Sequence, residues 1–149
     1  MVAAIEEACF FHTVARQSQT RFELKGSNPL TENYSVLSPE VMDDGQGEAI
    51  AQKNTPLIQT LLEFDGVIVA GQAKSHCVAW TVADLLSDIE ATDPTLAQKV
   101  YLLDDCTSPV VVPDVVDFTD QAEETYGRFA TAGMHRVMST TAIADWPGL

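Results

Sequence analysis

Basic residues are scarce in this chain. Lysine and arginine number 8 against 22 aspartates and glutamates, for a net charge of −14. A protein that grips a phosphate backbone or an anionic membrane surface needs basic patches. Nucleic acid and membrane are therefore not expected partners, and solubility accounts for the acidity. No run approaches the roughly 18 apolar residues of a membrane span. No basic segment followed by an apolar core marks a signal peptide. Cysteine is also sparse: Cys9, Cys77 and Cys106 are an odd set of 3, with no CxxC spacing. The 3 histidines, His12, His76 and His135, show no ligand spacing either. Neither a disulfide scaffold nor a metal site built from this chain is expected, and a reducing cytoplasm suits the thiols.

What is present describes one α/β domain. The 149 residues are 46% hydrophobic and 20% charged, enough for a single core over residues 1–149. The opening "MVAAIEEACFFHTVARQ" is helical in pattern, with Val2, Ile5, Cys9 and Val14 near one face. An α/β domain ordinarily opens on a strand, and this one does not. "RFELKG" alternates, which predicts a short strand over Arg21–Lys25 ended by Gly26. Ser27–Gly47 reads as a long loop, a feature often functional inside a compact domain. A helix is predicted over Glu48–Leu62, with Ile50, Leu57, Leu61 and Leu62 inward and Pro56 either kinking it or starting its second half.

The β-branched run Gly66–Gly71 predicts a strand covered on both faces, as in a parallel sheet. The segment after it sets Val78, Val82, Leu85 and Ile89 at helical spacing until Asp93-Pro94. Lys99–Asp105 predicts the next buried strand, which completes a right-handed βαβ unit. "CTSPVVVPDVVDF" reads as a loop. Asp120, with Glu123 three residues on, predicts a capped helix closed by Gly133. Met134–Met138 is the last predicted strand, and an irregular tail follows. Phe64 and Trp80 are assigned to the core.

Open α/β sheets bind ligands outside the carboxyl ends of their strands. Those ends are Lys25, the Gly71–Cys77 turn and the Asp104–Pro113 loop. Cys77 falls in the first turn of a predicted helix. A helix N-terminus and a nearby cation such as Lys25 both favour a thiolate nucleophile, and free N–H groups at the turn suit an oxyanion. The alternative is packing, because free cysteine is commonly a small buried hydrophobe; position alone favours that alternative. Lys25 by itself reads as a solvated charge at a strand end. His76 adjoins Cys77 in a helix, so their side chains diverge. Asp104 and Asp105 suit hydrogen-bond acceptors at a strand end, and nothing marks either as a general base.

Taken together, "KGSNPLTENYSVL", "VIVAGQAKSHCVAWTVADLL" and "KVYLLDDCTSPV" resemble the isochorismatase-like cysteine hydrolases, nicotinamidases most closely. The resemblance lies in Lys25-Gly26, Tyr34-Ser35 and the Gly-x-Ala-x-x-x-Cys-Val pattern of Gly71, Ala73, Cys77 and Val78. It runs from about Arg21 to Ser139. It implies a Rossmann-like three-layer αβα fold with a mostly parallel sheet. It implies Cys77 as a nucleophile that forms a thioester with a small amide, and Lys25 as the cation that stabilises the thiolate and the developing charge. It also implies an oxyanion hole from the backbone N–H groups of Ala73 and Cys77, and a cis peptide between Gln72 and Ala73. True isochorismatases typically lack the cysteine, so Cys77 favours the amidase branch. The family's catalytic aspartate and metal ligands precede the matched region. The resemblance therefore implies a partial domain without the first strand or strands of the family fold, and no cofactor within this chain. The other reading is a catalytically inactive domain that acts through self-association or partner binding, with a homo-oligomer as one form.

Overall fold

A computed structural model describes residues 2–149. Its centre is a parallel sheet of 3 strands in the order β1-β2-β5, formed by Val67–Gln72, Val100–Ser108 and His135–Val137. Helix α3 (Cys77–Thr92) links β1 to β2, and helix α4 (Thr119–Thr131) precedes β5. The chain is thus α/β and Rossmann-like, with a parallel sheet and helices between its strands. A small antiparallel hairpin, β3 (Val111–Val112) with β4 (Val116–Asp117), occupies the segment expected to be plain loop.

Helix α3 forms where the apolar spacing placed it. Val78, Ala79, Val82, Leu85 and Ile89 are all buried on its inner stripe. Val78, Val82, Leu85 and Ile89 pack in one cluster with Val100 and Leu102 of β2 and with Tyr126 and Phe129 of α4. Asp93 ends the helix and accepts from the Thr95 N–H at 3.0 Å as Pro94 opens a 3₁₀ turn. The alternation along β2 sends Tyr101 to the opposite face, where it joins Val137 and Trp146. At Tyr101 and Val137 that second face is covered by the C-terminal tail. Trp146 stacks on Tyr101, whose hydroxyl donates to the Pro147 carbonyl at 2.7 Å.

The ladder between β1 and β2 is irregular. Val69 pairs with Leu102, but Gly71 pairs with Thr107, so two steps along β1 answer five along β2. Leu103 to Cys106 therefore lose register with β1, although Leu103 still pairs with Val137 of β5, and β2 continues to Ser108, beyond the expected Asp105.

Several expectations are corrected. Arg21–Lys25 is not a strand: it pairs with no other strand among the described residues, and Phe22 and Leu24 lie exposed. An extended segment without a ladder partner leaves its alternation unused. The predicted helix over 48–62 begins only at Thr55, as helix α2 (Thr55–Glu63). Pro56 lacks an N–H and fits only the first turn, and Asn54 caps by accepting from the Leu57 N–H at 3.2 Å. Asp120 lies inside α4 and does not cap it; Phe118 holds the cap position without a side-chain bond. β1 is covered on one face, since Ile68 is exposed. Phe64 and Trp80 are exposed rather than core. The first helix, α1 (Ala3–Arg16), exists, but none of its residues is buried. Among the described residues no helix is long and apolar enough to cross a membrane.

Candidate functional site

The site is the turn between β1 and α3. Gly71 sits at φ 121, in the left-handed half of the map that glycine alone enters freely, and a Cβ there would meet nothing within 4 Å. Backbone conformation, not space, requires glycine at this point. The Gln72–Ala73 peptide is cis. The Ala73 carbonyl then accepts from the N–H groups of His76 at 3.0 Å and Val78 at 3.1 Å. The Lys74 N–H donates to the Ser108 carbonyl at 2.8 Å, which fastens the turn to β2. The Ser75 hydroxyl is buried; it accepts from the Val110 N–H at 2.9 Å and shares a hydrogen with His76 Nδ1 at 2.8 Å. Two consecutive turn residues are thereby tied to the end of β2 and the loop after it. Among the described residues, the N–H groups of Ala73 and Cys77 meet no protein acceptor. Free donors at a helix start are available to a developing negative charge.

Cys77 is the first residue of α3 and is half-buried. Lys25 lies apart from the sheet ladder. Its ammonium donates to the Tyr34 carbonyl at 2.9 Å, and the Tyr34 ring stacks on Trp80 of α3 with centroids 5.0 Å apart. The neighbouring Val36 N–H donates to Thr81 Oγ1 at 3.3 Å, so the segment that carries Tyr34 is bonded to the same helix. Ser35 and Leu37 are buried beside it. Lys25 is thus anchored to a segment that lies along the first turns of α3. No hydrogen bond joins Lys25 to Cys77 among the described residues. Trp80 continues to His76 at 5.4 Å, and His76 meets Phe118 edge-on at 4.7 Å. An aromatic row therefore borders the cysteine's end of the helix. Cys9 and Cys106 lie elsewhere, on α1 and β2.

A feature that sequence reasoning missed flanks the turn. Lys74 is buried, at 4% exposure. Its ammonium meets Asp104 Oδ1 at 2.9 Å and the carboxylate of Glu123 on α4. Arg136 of β5 closes the ring, reaching Asp104 Oδ2 at 2.6 Å and Glu123 Oε2 at 2.8 Å. Lys74 also lies over the Tyr126 ring, 4.5 Å from its centroid. The bond from Lys74, then that from Arg136, hold the Glu123 carboxyl below its ordinary pKa. Burial pushes the Tyr126 hydroxyl up. Asp105 turns the other way and takes the Ser139 hydroxyl at 2.6 Å and N–H at 2.8 Å, bonds that lower its pKa. Both aspartates accept hydrogen bonds, but from within β2 rather than from its end, since the strand runs on to Ser108. The available signal for Lys74 was a lone charge between a buried strand and a buried helix, with Asp104 at the end of the next strand.

Among the described residues no group of three or more histidine, cysteine or acidic side chains is placed to hold a metal ion. No family model matches the chain, and no curated protein matches it. Among solved structures, a nicotinamidase/pyrazinamidase from Acinetobacter baumanii is similar at 21% identity and a TM-score of 0.46, covering 74% of this chain and 43% of that one. The chain spans less than half the length of that protein, and a likeness of this size carries nothing about chemistry at the turn.

Proposed function

We propose that the chain carries the nucleophile and oxyanion half of a cysteine-dependent amidase that acts on a small amide, of the nicotinamidase-related kind. The observation that supports this reading is the turn itself. A cysteine opens α3 beyond the carboxyl end of β1, and among the described residues the N–H groups of Ala73 and Cys77 meet no protein acceptor. In the proposed reaction the Cys77 thiolate attacks the amide carbonyl, and the two N–H groups hold the resulting oxyanion. The C–N bond breaks, the amide nitrogen leaves as ammonia with the proton that the Cys77 thiol gave up, and a thioester remains. Water then cleaves the thioester to release the acid and restore the thiol. Lys25 supplies positive charge for the thiolate and the oxyanion. Asp104 and Glu123 are engaged by Lys74 and Arg136, so the proton transfers are not assigned to them. The substrate is a small neutral amide, with nicotinamide and carbamoyl amines as the first to test. No cofactor of this chain's own is part of the scheme.

The test is ammonia release from nicotinamide and from a carbamoyl amine, with mass spectrometry of the quenched enzyme. Turnover, an acyl adduct on Cys77, and loss of both in Cys77→Ala are expected. Ammonia release that Cys77→Ala leaves unchanged, or no release from any small amide, overturns the reading.

A second reading is favoured by a different observation. Phe10 and Phe11 on α1 are 63% and 60% exposed, and the outer edge of β1 pairs with no strand among the described residues. We infer from this a non-catalytic domain that covers those surfaces by self-association or with a partner. Sedimentation equilibrium discriminates: a monomer across the accessible concentration range removes the self-association form.

A further inference from the structure

Lys74 is buried where a lysine needs partners; it pairs with Asp104 and Glu123, Arg136 pairs with the same two carboxylates, and the group draws on three other elements. Asp104 is on the displaced part of β2, Glu123 on the second turn of α4, and Arg136 on β5. Tyr126 faces the same ammonium from α4. Charges balance within the group, two cations against two carboxylates, so the buried ammonium is compensated where it stands. The Lys74 main chain is held as well, by its N–H on the Ser108 carbonyl. Three residues further on is Cys77, and the residue before is Ala73, the two whose N–H groups meet no acceptor among the described residues.

We infer that Lys74 is a positioning residue: its clamp between β2 and α4 sets the path of the Ala73–Cys77 turn, and so the reactivity of the Cys77 thiol. The inference rests on the nucleophile reading above for its role in turnover, but its physical content is separate. A lysine whose side chain is bonded to two other elements, and whose own peptide is bonded to one of them, leaves the turn one arrangement. Without the ammonium, Asp104 and Glu123 still bind Arg136 and the α4–β2–β5 contact survives. The turn is then the part that is released. That separates a positioning role from a general structural one.

The experiment uses the full chain in a Cys9→Ser, Cys106→Ser background, so that Cys77 is the sole thiol. The rate of iodoacetamide alkylation is followed from pH 5 to 10 in the parent, Lys74→Met and Glu123→Gln. Glu123 is half exposed, so Glu123→Gln keeps the test alive if Lys74→Met fails to fold; circular dichroism checks folding of both. The expected result is at least a threefold change in alkylation rate at neutral pH with a displaced pH profile. The effect should be larger for Lys74→Met, and Lys74→Arg should return part of the way to the parent. Folded variants whose alkylation profiles overlay the parent's overturn the inference, whatever the amide assay shows. In the amide assay, kcat should fall at least tenfold in Lys74→Met with KM within about twofold. Activity that persists in Cys77→Ala removes the catalytic reading and leaves the alkylation result to judge the clamp.

Discussion

Replacing Trp146 with alanine uncovers the second face of the sheet, and its cost follows from the contacts. Trp146 is 6% exposed, and its ring stacks on Tyr101 with centroids 5.5 Å apart and planes at 26°. A buried tryptophan removes about 150–250 Å² from water. At about 25 cal/mol per Å² that is about 4–6 kcal/mol, an upper bound because real unfolded chains already bury part of the area. Large-to-small core changes of this kind cost about 3–5 kcal/mol. The indole N–H also donates to the Thr141 carbonyl at 3.2 Å, a bond worth about 1 kcal/mol. We expect Trp146→Ala to lose about 4 kcal/mol and Trp146→Phe, which keeps a ring on Tyr101, about 1–2 kcal/mol. For a domain of this size the larger loss lowers the melting temperature by about 8–16 °C. Urea unfolding followed by far-ultraviolet circular dichroism reads both, since it does not depend on the deleted fluorophore. A Trp146→Ala midpoint corresponding to less than about 0.5 kcal/mol would be the size of an ordinary surface change and would refute the claim that the tail is part of the core.

Two further outcomes are expected. The Glu123 carboxyl has its pKa depressed in the folded protein by Lys74 and Arg136, so its contribution is present above the ordinary carboxyl value and is lost as pH falls through the depressed one. The stability difference between the parent and Glu123→Gln should be constant from pH 7 to about 5 and shrink below about 4, staying near 1 kcal/mol because the group is half exposed; a gap that widens in acid contradicts the sign. Gly71→Ala should cost about 1–3 kcal/mol through its backbone conformation alone, because the added Cβ meets nothing within 4 Å, and a melting temperature equal to the parent's would refute that.

The legible part of the chain was the part whose pattern met a partner. Val78, Val82, Leu85 and Ile89 declared α3, and β-branched runs on either side declared β1 and β2, because each element packs on the others. The same alternation in Arg21–Lys25 misled, since a strand exists only if another strand lies alongside it. The capping pattern of Asp120 and Glu123 misled differently. Glu123 is spent on Lys74 and Arg136, and a tertiary ion pair overrides a local cap. The apolar side of α1 forms as its periodicity predicts, yet none of its residues is buried, because helical periodicity records only that a face exists and not that anything covers it. At the site, the helical spacing after β1 sufficed to put Cys77 in the first turn of α3. Lys74 was invisible because its partners Asp104 and Glu123, and the Arg136 that shares them, are distant in sequence and meet only after the sheet has formed.

The displaced stretch of β2 has a use beyond geometry. From Val67 to Val69 the strands are locked residue for residue to Val100–Leu102, and the core depends on that match. From Leu103 to Cys106 the match lapses, then resumes at Thr107 and Ser108 beside the turn. The stretch works like slack in a cable between two fixed points. A residue gained or lost there would alter where Asp104 and Asp105 reach while leaving the anchored register of the core untouched. The carboxyl end of the sheet can therefore be reshaped by changes in chain length as well as by changes of side chain.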